Sequence, residues 1–380
     1  MGSQIAKLWN ALDKRVVFTL SLIAAIWIVF NILSGGYILR AENMANLFRQ
    51  VTVVAVLACG MTLIIVSGHI DLSVGSALGM FGAVCAAMVT NLDIDPHFSV
   101  ATVLLLGFAV GCVHGSLVHF FNIPAFVVTL GGLIAYRGVT QYVARQSIPI
   151  RVEWIKAIAQ ESVPHWFSIG LMVVVLAVLA LSIVQTRKRH TRAQLEVNPV
   201  WIDVVKYLLT AGLIIAFIAV MLQGEGVPVQ VVILLAVATI ISLATRLTPF
   251  GHYVYAVGGN RQAAHYSGIS IARNTIGIFG LMGFLSALAG IITVSELSSA
   301  APDIGDLKEL ETIAACVIGG TSLMGGSGTI GMSVLGALIM ASIKNGMSMM
   351  GIVAQMQKVI LGSVLVIAVA LDQWSRKARR

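Results

Sequence analysis

"GGTSLMGGSG", residues 319–328, reads at first as a phosphate-binding loop. Gly320, Gly325 and Ser327 stand where the pattern G-x-x-x-x-G-K-[ST] puts its two glycines and its hydroxyl. Gly326 stands where the lysine belongs. A phosphate loop needs that lysine for the terminal phosphates, and it follows a strand inside an α/β domain. Here the stretch follows "ETIAACVI" and precedes another apolar run, 329–343, and the chain offers neither a strand-rich domain nor magnesium-binding acids. The glycines therefore serve the backbone. Gly319, Gly320, Gly325, Gly326 and Gly328 let a helix break and let neighbouring chains approach closely.

Composition says what surrounds that break. Of 380 residues 58% are hydrophobic and 11% charged, against about 25% charged in a soluble domain. Apolar runs near the roughly 20 residues that cross a bilayer recur from end to end. The fold class is an all-α polytopic membrane protein, since a β-barrel would show alternation over about 10 residues instead. The expected spans are 16–34, 51–67, 74–90, 100–118, 123–138, 166–185, 207–222, 229–245, 275–294, 311–323, 329–343 and 355–371. The runs 123–138 and 311–323 are short enough to be re-entrant. The first run follows Lys14 and Arg15 and is too long for a signal-peptide core, so it reads as a retained span. In a bilayer, broken backbone is tolerated only against protein or a water-filled cavity. The glycine break thus marks either a translocation path or a tight helix crossing.

Twelve spans put both termini on one side. With that side cytoplasmic, the inside segments hold 15 basic and 5 acidic residues and the outside segments 9 and 11, the Lys/Arg bias that sets orientation. The net charge of +8 is then topology and not a nucleic-acid patch. "TRKRHTR", 186–192, opens a basic cytoplasmic loop, 186–206, and reads as a stop-transfer anchor. Residues 139–165, with Trp154 and nearby Trp166, read as an outer segment lying at the interface. Cys59, Cys85, Cys112 and Cys316 fall in apolar runs without metal spacing and read as buried small hydrophobes.

No H-E-x-x-H or G-x-S-x-G motif is present. His114 and His119, five apart, do not share a helix face as metal ligands would. The acids Asp71, Glu296, Glu309 and Glu311 collect at span ends. A proton- or sodium-coupled carrier would more often bury carboxylates mid-span, so the driving energy is expected from elsewhere and an uncharged solute suits the chain. "SGHIDLSVGSAL" (67–78) and "SGTIGMSVLGAL" (327–338) coincide at 7 of 12 positions. This is either chance among common residues or an internal repeat of the kind transporters contain. The inner loop 246–274 contains "GGNRQAAHYSG", in which Asn260 can cap a short helix through about Tyr266 and Gly268 can end it. Such a helix on the cytoplasmic face is either a plain connector or a docking element.

These pieces resemble the membrane permease subunits of bacterial monosaccharide ABC importers, the ribose/xylose/arabinose/galactoside group. The matching stretches are "ANLFRQ" (45–50), "GMTLIIVSGHIDLSVGS" (60–76), "IPAFVVTLGGLIAYRG" (123–138), "YAVGGNRQAAHYSGI" (255–269), "AACVIGGTSLMGGSGTIG" (314–331) and "KNGMSMMGI" (344–352). "NGMSMM" and the extra material around 166–222 are similar to the D-xylose branch. The resemblance implies a type II importer-like bundle in a single permease domain, 1–380, sited in the bacterial inner membrane. It also implies a homodimer of permease subunits, a cytoplasmic ATP-binding subunit and a periplasmic sugar-binding protein. No cofactor is then expected on this chain, because ATP and magnesium belong to the partner ATPase. Gly258, Gly259, Asn260, Ala263, Ala264, Ser267 and Gly268 correspond to the family's ATPase-coupling loop. Polar residues near the glycine breaks, Asn122, Thr129, Thr321, Ser322 and Asn345, are pathway candidates, with packing or capping as the plainer role for each. A stand-alone secondary carrier or channel for an uncharged solute is the alternative.

Overall fold

A computed structural model describes residues 13–194 and 199–377. Among the described residues fifteen helices follow one another: α1 Lys14–Leu33, α2 Ala41–Val66, α3 Val74–Thr90, α4 Pro96–Phe120, α5 Ala125–Val143, α6 Glu153–Gln160, α7 His165–Arg192, α8 Val200–Met221, α9 Val229–Leu247, α10 Pro249–Gly259, α11 Arg261–Tyr266, α12 Ile271–Leu297, α13 Lys308–Ile318, α14 Ile330–Met349 and α15 Ala354–Lys377. Two short strands, β1 Ile148–Pro149 and β2 Ser299–Ala300, pair antiparallel. Among the described residues eight helices are long and apolar enough to cross a membrane (α1, α2, α4, α7, α8, α9, α12 and α14), and Val74–Thr90 and Ala354–Ala370 are shorter apolar helices. An all-α polytopic membrane protein is therefore the observed class.

The chain divides into two compact units. The first comprises residues up to 46 and 162–228. In it α7 packs on α8, and Arg187 reaches Asp203 at 2.7 Å across the pair. The ends of the pair away from Arg187 are tied by Val163 N–H donating to Val227 O at 2.8 Å. The basic stretch expected as a loop from 186 is mostly helix, since α7 runs on to Arg192. Cations are favoured in a last helical turn, where the dipole is negative. Residues 195–198 of that stretch lie outside the described residues.

The second unit holds residues 47–161 and 229–380. Its centre is α2 and α12, with 89% and 67% of their apolar windows buried, against 6% for α7. In lipid these helices form whatever their β-branched content, because backbone groups have no water to bond. Close crossings then need small residues. On α4, Gly107, Gly111 and Gly115 lie one turn apart, and a Cβ at each would strike the backbone of α12 near Gly283, Phe279 and Ile276. Gly82 of α3 meets Gly290 of α12 in the same way. Apolar side chains fill the remaining space between α3, α4 and α12, among them Phe81, Cys85, Val103, Ala287 and Ile291.

The short helix α6 buries Ile155 and Ala159. The Ser295 hydroxyl of α12 donates to the Ile155 carbonyl and accepts from Ala159 N–H at 3.0 Å. Trp154 stacks on His97, ring centroids 4.5 Å apart. Cys59, Cys85 and Cys316 are buried and Cys112 half-buried, all as free thiols.

Candidate coupling site and helix breaks

The opening stretch 319–328 begins where α13 stops. Gly320 takes φ +81°. Its N–H donates to Val317 O, and Thr321 N–H donates to Cys316 O at 2.9 Å. This is the paired closure of a helix by a left-handed glycine. The end of α2 is built identically: Gly68 has φ +83°, its N–H donates to Ile65 O, and His69 N–H donates to Ile64 O. One carbonyl of α2, Val66 O, is left over by this closure. The N–H of Gly326 donates to it at 2.8 Å. The residue in the lysine's place thus supplies the main-chain donor that finishes α2.

The residues just before the two patterned segments, Val66 and Gly326, are thus bonded to each other. Both open a helix, but α14 starts at Ile330, four positions earlier in the shared pattern than α3 at Val74. The two turns are held differently. Asp71 Oδ1 accepts from Ser73 N–H at 2.8 Å and from Ser73 Oγ at 2.6 Å, holding an extended turn. Gly331 at the matching place offers no such acceptor, and Thr329 caps the helix through Met332 N–H instead. Burial pushes the Asp71 carboxyl above the usual carboxylate range, against the opposing pull of His114 and the Ser73 bonds. Behind the break, Thr62 Oγ1 lies 2.6 Å from Ala58 O and 2.7 Å from Ser333 Oγ, which in turn lies 3.2 Å from Thr321 Oγ1.

The predicted coupling residues form a compact element. Gly258 and Gly259 end α10. Asn260 Oδ1 accepts from Ala263 N–H at 2.9 Å and caps α11. Ser267 Oγ donates to Ala263 O at 2.8 Å, and Gly268, φ +80°, ends the helix. Ala264 is buried against Val257, Ile269 and Ile271 and anchors α11 to its neighbours. Ala263, His265 and Tyr266 face outward, Tyr266 with 87% of its surface exposed. Arg261 borders a cleft of about 320 Å³ shared with Gly68, His69, Asn122 and Phe126. Burial, then the charge of Arg261, push His69 down to about 4.

The five pathway candidates do not form one cluster. Asn122, φ +52°, turns the chain between α4 and α5 and lines that cleft. Thr129 is buried, with its hydroxyl donating to Ala125 O of its own helix at 2.9 Å. Thr321 and Ser322 are buried in the glycine stretch, Ser322 N–H donating to Ser327 O at 2.8 Å. Asn345 is buried in α14, about 22 Å along the axis from its first residue at about 1.5 Å per residue.

Sequence reasoning missed three features. The G-x-x-x-G-x-x-x-G spacing of 107–115 on α4 was a legible signal for the crossing with α12. Glu311, expected only as a span-end acid, accepts from Lys308 at 2.7 Å and from Lys344 of α14 at 2.8 Å. Tyr255 Oη donates to Gly328 O at 2.7 Å, and no sequence signal pairs those positions.

The chain is 36% identical over 372 residues to the xylose transport system permease protein XylH of Escherichia coli (strain K12), covering 97% of this chain and 94% of that one. It is 34% identical to the XylH of Haemophilus influenzae over 370 residues, 97% of this chain and 98% of the relative. It is 33% identical to the ribose import permease protein RbsC of Escherichia coli (strain K12) over 366 residues, 96% and 95% of the two chains. No solved structure matches it. The model of the family described as "Branched-chain amino acid transport system / permease component" matches residues 43–369, and the chain belongs to that family of transport permeases.

Proposed function

We propose that this chain is the membrane-spanning permease subunit of an ATP-driven importer that moves a monosaccharide, D-xylose foremost, into the cytoplasm by alternating access. The observation that carries the sugar reading is the end-to-end likeness to xylose transport system permease proteins. The exposed, capped helix α11 supports an ATP-binding subunit docking on the cytoplasmic face through Gly258–Gly268. Two copies of the permease form the pore, and a periplasmic sugar-binding protein delivers the ligand outside. Twelve crossings, with α13 and the glycine stretch together making one, put both termini in the cytoplasm of a cell whose inner membrane holds the protein. ATP and magnesium stay on the partner.

In this mechanism the loaded binding protein docks and ATP closes the ATPase pair. The two α11 helices are drawn together, the bundle opens outward, and hydrolysis reopens it inward. Asn122, Thr129, Thr321, Ser322 and Asn345 are the polar groups proposed along the sugar's path, at separate places in the bundle. Reconstitution with and without the ATPase and the binding protein tests the whole reading. ATP-dependent uptake of labelled xylose, exceeding that of ribose and arabinose, is expected. Uptake by the permease alone without ATP would sink the proposal in favour of a stand-alone carrier.

A further inference from the structure

We infer that the meeting point of Val66, Gly258 and Gly326, latched by the Tyr255 hydroxyl on Gly328, is the linkage that carries movement of α11 to the two helix breaks. The inference rests on α11 being the ATPase-docking element. Asn260 both ends α10 and caps α11, and Ala264 of α11 packs on Val257 of α10. A displaced α11 therefore takes the last turn of α10 with it. That turn has no side chain at Gly258, and the Val66 carbonyl occupies the place a Cβ would take, with Gly326 N 2.9 Å from it. Gly326 N–H is bonded to the same carbonyl at 2.8 Å. A Cβ on Gly325 would stand 2.9 Å from Gly258 O, and one on Gly326 would stand 3.2 Å from Gly259 Cα.

Three segments thus touch main chain to main chain: the end of α2, the end of α10 and the stretch before α14. Side chains can change rotamer and absorb a displacement of about an ångström. Backbone groups at contact distance have no such freedom, so a displacement of α10 passes undiminished to Val66 and Gly326. Val66 is the last helical residue before the break at 67–73, and Gly326 lies three residues before the cap of α14. Arg261 borders the first break as well, in the cleft with Gly68 and His69. Tyr255 is a positioning residue here: its hydroxyl holds the glycine stretch to α10.

The test uses the full transporter, reconstituted with its ATPase and binding protein, carrying Tyr255→Phe, and separately Ala263→Arg on the exposed side of α11. Three readouts are taken: co-purification of the ATPase, stimulation of hydrolysis by sugar-loaded binding protein, and ATP hydrolysed per sugar imported. With Tyr255→Phe, co-purification is expected to stay at the unaltered level. Stimulation is expected to fall about three- to tenfold, the range for one lost hydrogen bond, and ATP per sugar to rise. Normal stimulation and an unchanged ratio overturn the linkage. Equal loss of all three readouts also overturns it, because that marks a general folding role. Ala263→Arg separates the two levels. If it leaves co-purification intact, the docking reading fails; if it abolishes co-purification while Tyr255→Phe couples normally, only the linkage fails.

Discussion

Gly258→Ala offers a direct measure of how tightly the three segments meet. The added methyl would fall on the Val66 carbonyl oxygen and stand 2.9 Å from Gly326 N, both backbone atoms. Neither can swing aside, so α10 must move off α2. Overpacking of this kind costs about 1–3 kcal/mol. The separation also stretches the bond from Gly326 to Val66, worth about 1 kcal/mol. The expected loss is about 2–4 kcal/mol, which at about 2 °C per kcal/mol lowers the thermal midpoint by about 4–8 °C. The neighbouring substitution is the control. A Cβ at Gly259 has nothing within 4 Å, and Gly259→Ala should stay within about 0.5 kcal/mol. Tryptophan fluorescence of the purified permease, heated in detergent, reads both. If Gly258→Ala melts with Gly259→Ala, the close backbone contact is wrong and the coupling argument loses its footing.

Asn260→Ala and Ser267→Ala remove the two side-chain bonds of α11, the cap alone costing about 1 kcal/mol; both should uncouple hydrolysis from transport in folded protein, and normal coupled transport would count against the docking assignment. Gly111→Val places two methyls on the backbone of α12 at Phe279 and should abolish monodisperse protein in size-exclusion chromatography, whereas Gly131→Val, with open space around it, should not. Glu311 bridges Lys308 and Lys344 through its two carboxylate oxygens, and the thermal midpoint of Glu311→Gln reads what that bridge is worth. At neutral pH, Glu311→Gln leaves two ammonium groups without their shared counter-charge and should cost about 3 kcal/mol or somewhat more.

Apolar runs located the helices but set several of their ends too far inward. The second span, expected from 51, begins at Ala41, because Glu42 and Arg49 end an apolar window without ending a helix. The capped helix 261–266 was legible because Asn260, the alanines and Gly268 act within a few residues of each other. The glycine stretch was legible as a break, since left-handed closure at Gly320 is a local property. What it touches was not legible, because a backbone N–H on a backbone carbonyl leaves no mark in either residue's identity. The Glu311–Lys344 pair was hidden for a related reason: its members lie 33 positions apart and on separate helices. The offset start of α14 was also out of reach, since it needed the conformation of the Asp71 turn as well as its composition.

The main-chain bond between Gly326 and Val66 also decides which mutational survey can see this region. A survey that works by deleting side chains removes nothing that matters here, since Gly326 has none and Val66 bonds through its carbonyl, and a survey that skips glycines passes the region by. An additive scan inverts the result. Placing one methyl at each glycine in turn should divide them sharply, with Gly258 and Gly336 intolerant and Gly259 and Gly331 indifferent, according to whether backbone or open space lies ahead of the new carbon. Read that way, glycines that look interchangeable on paper become a map of where two chains touch.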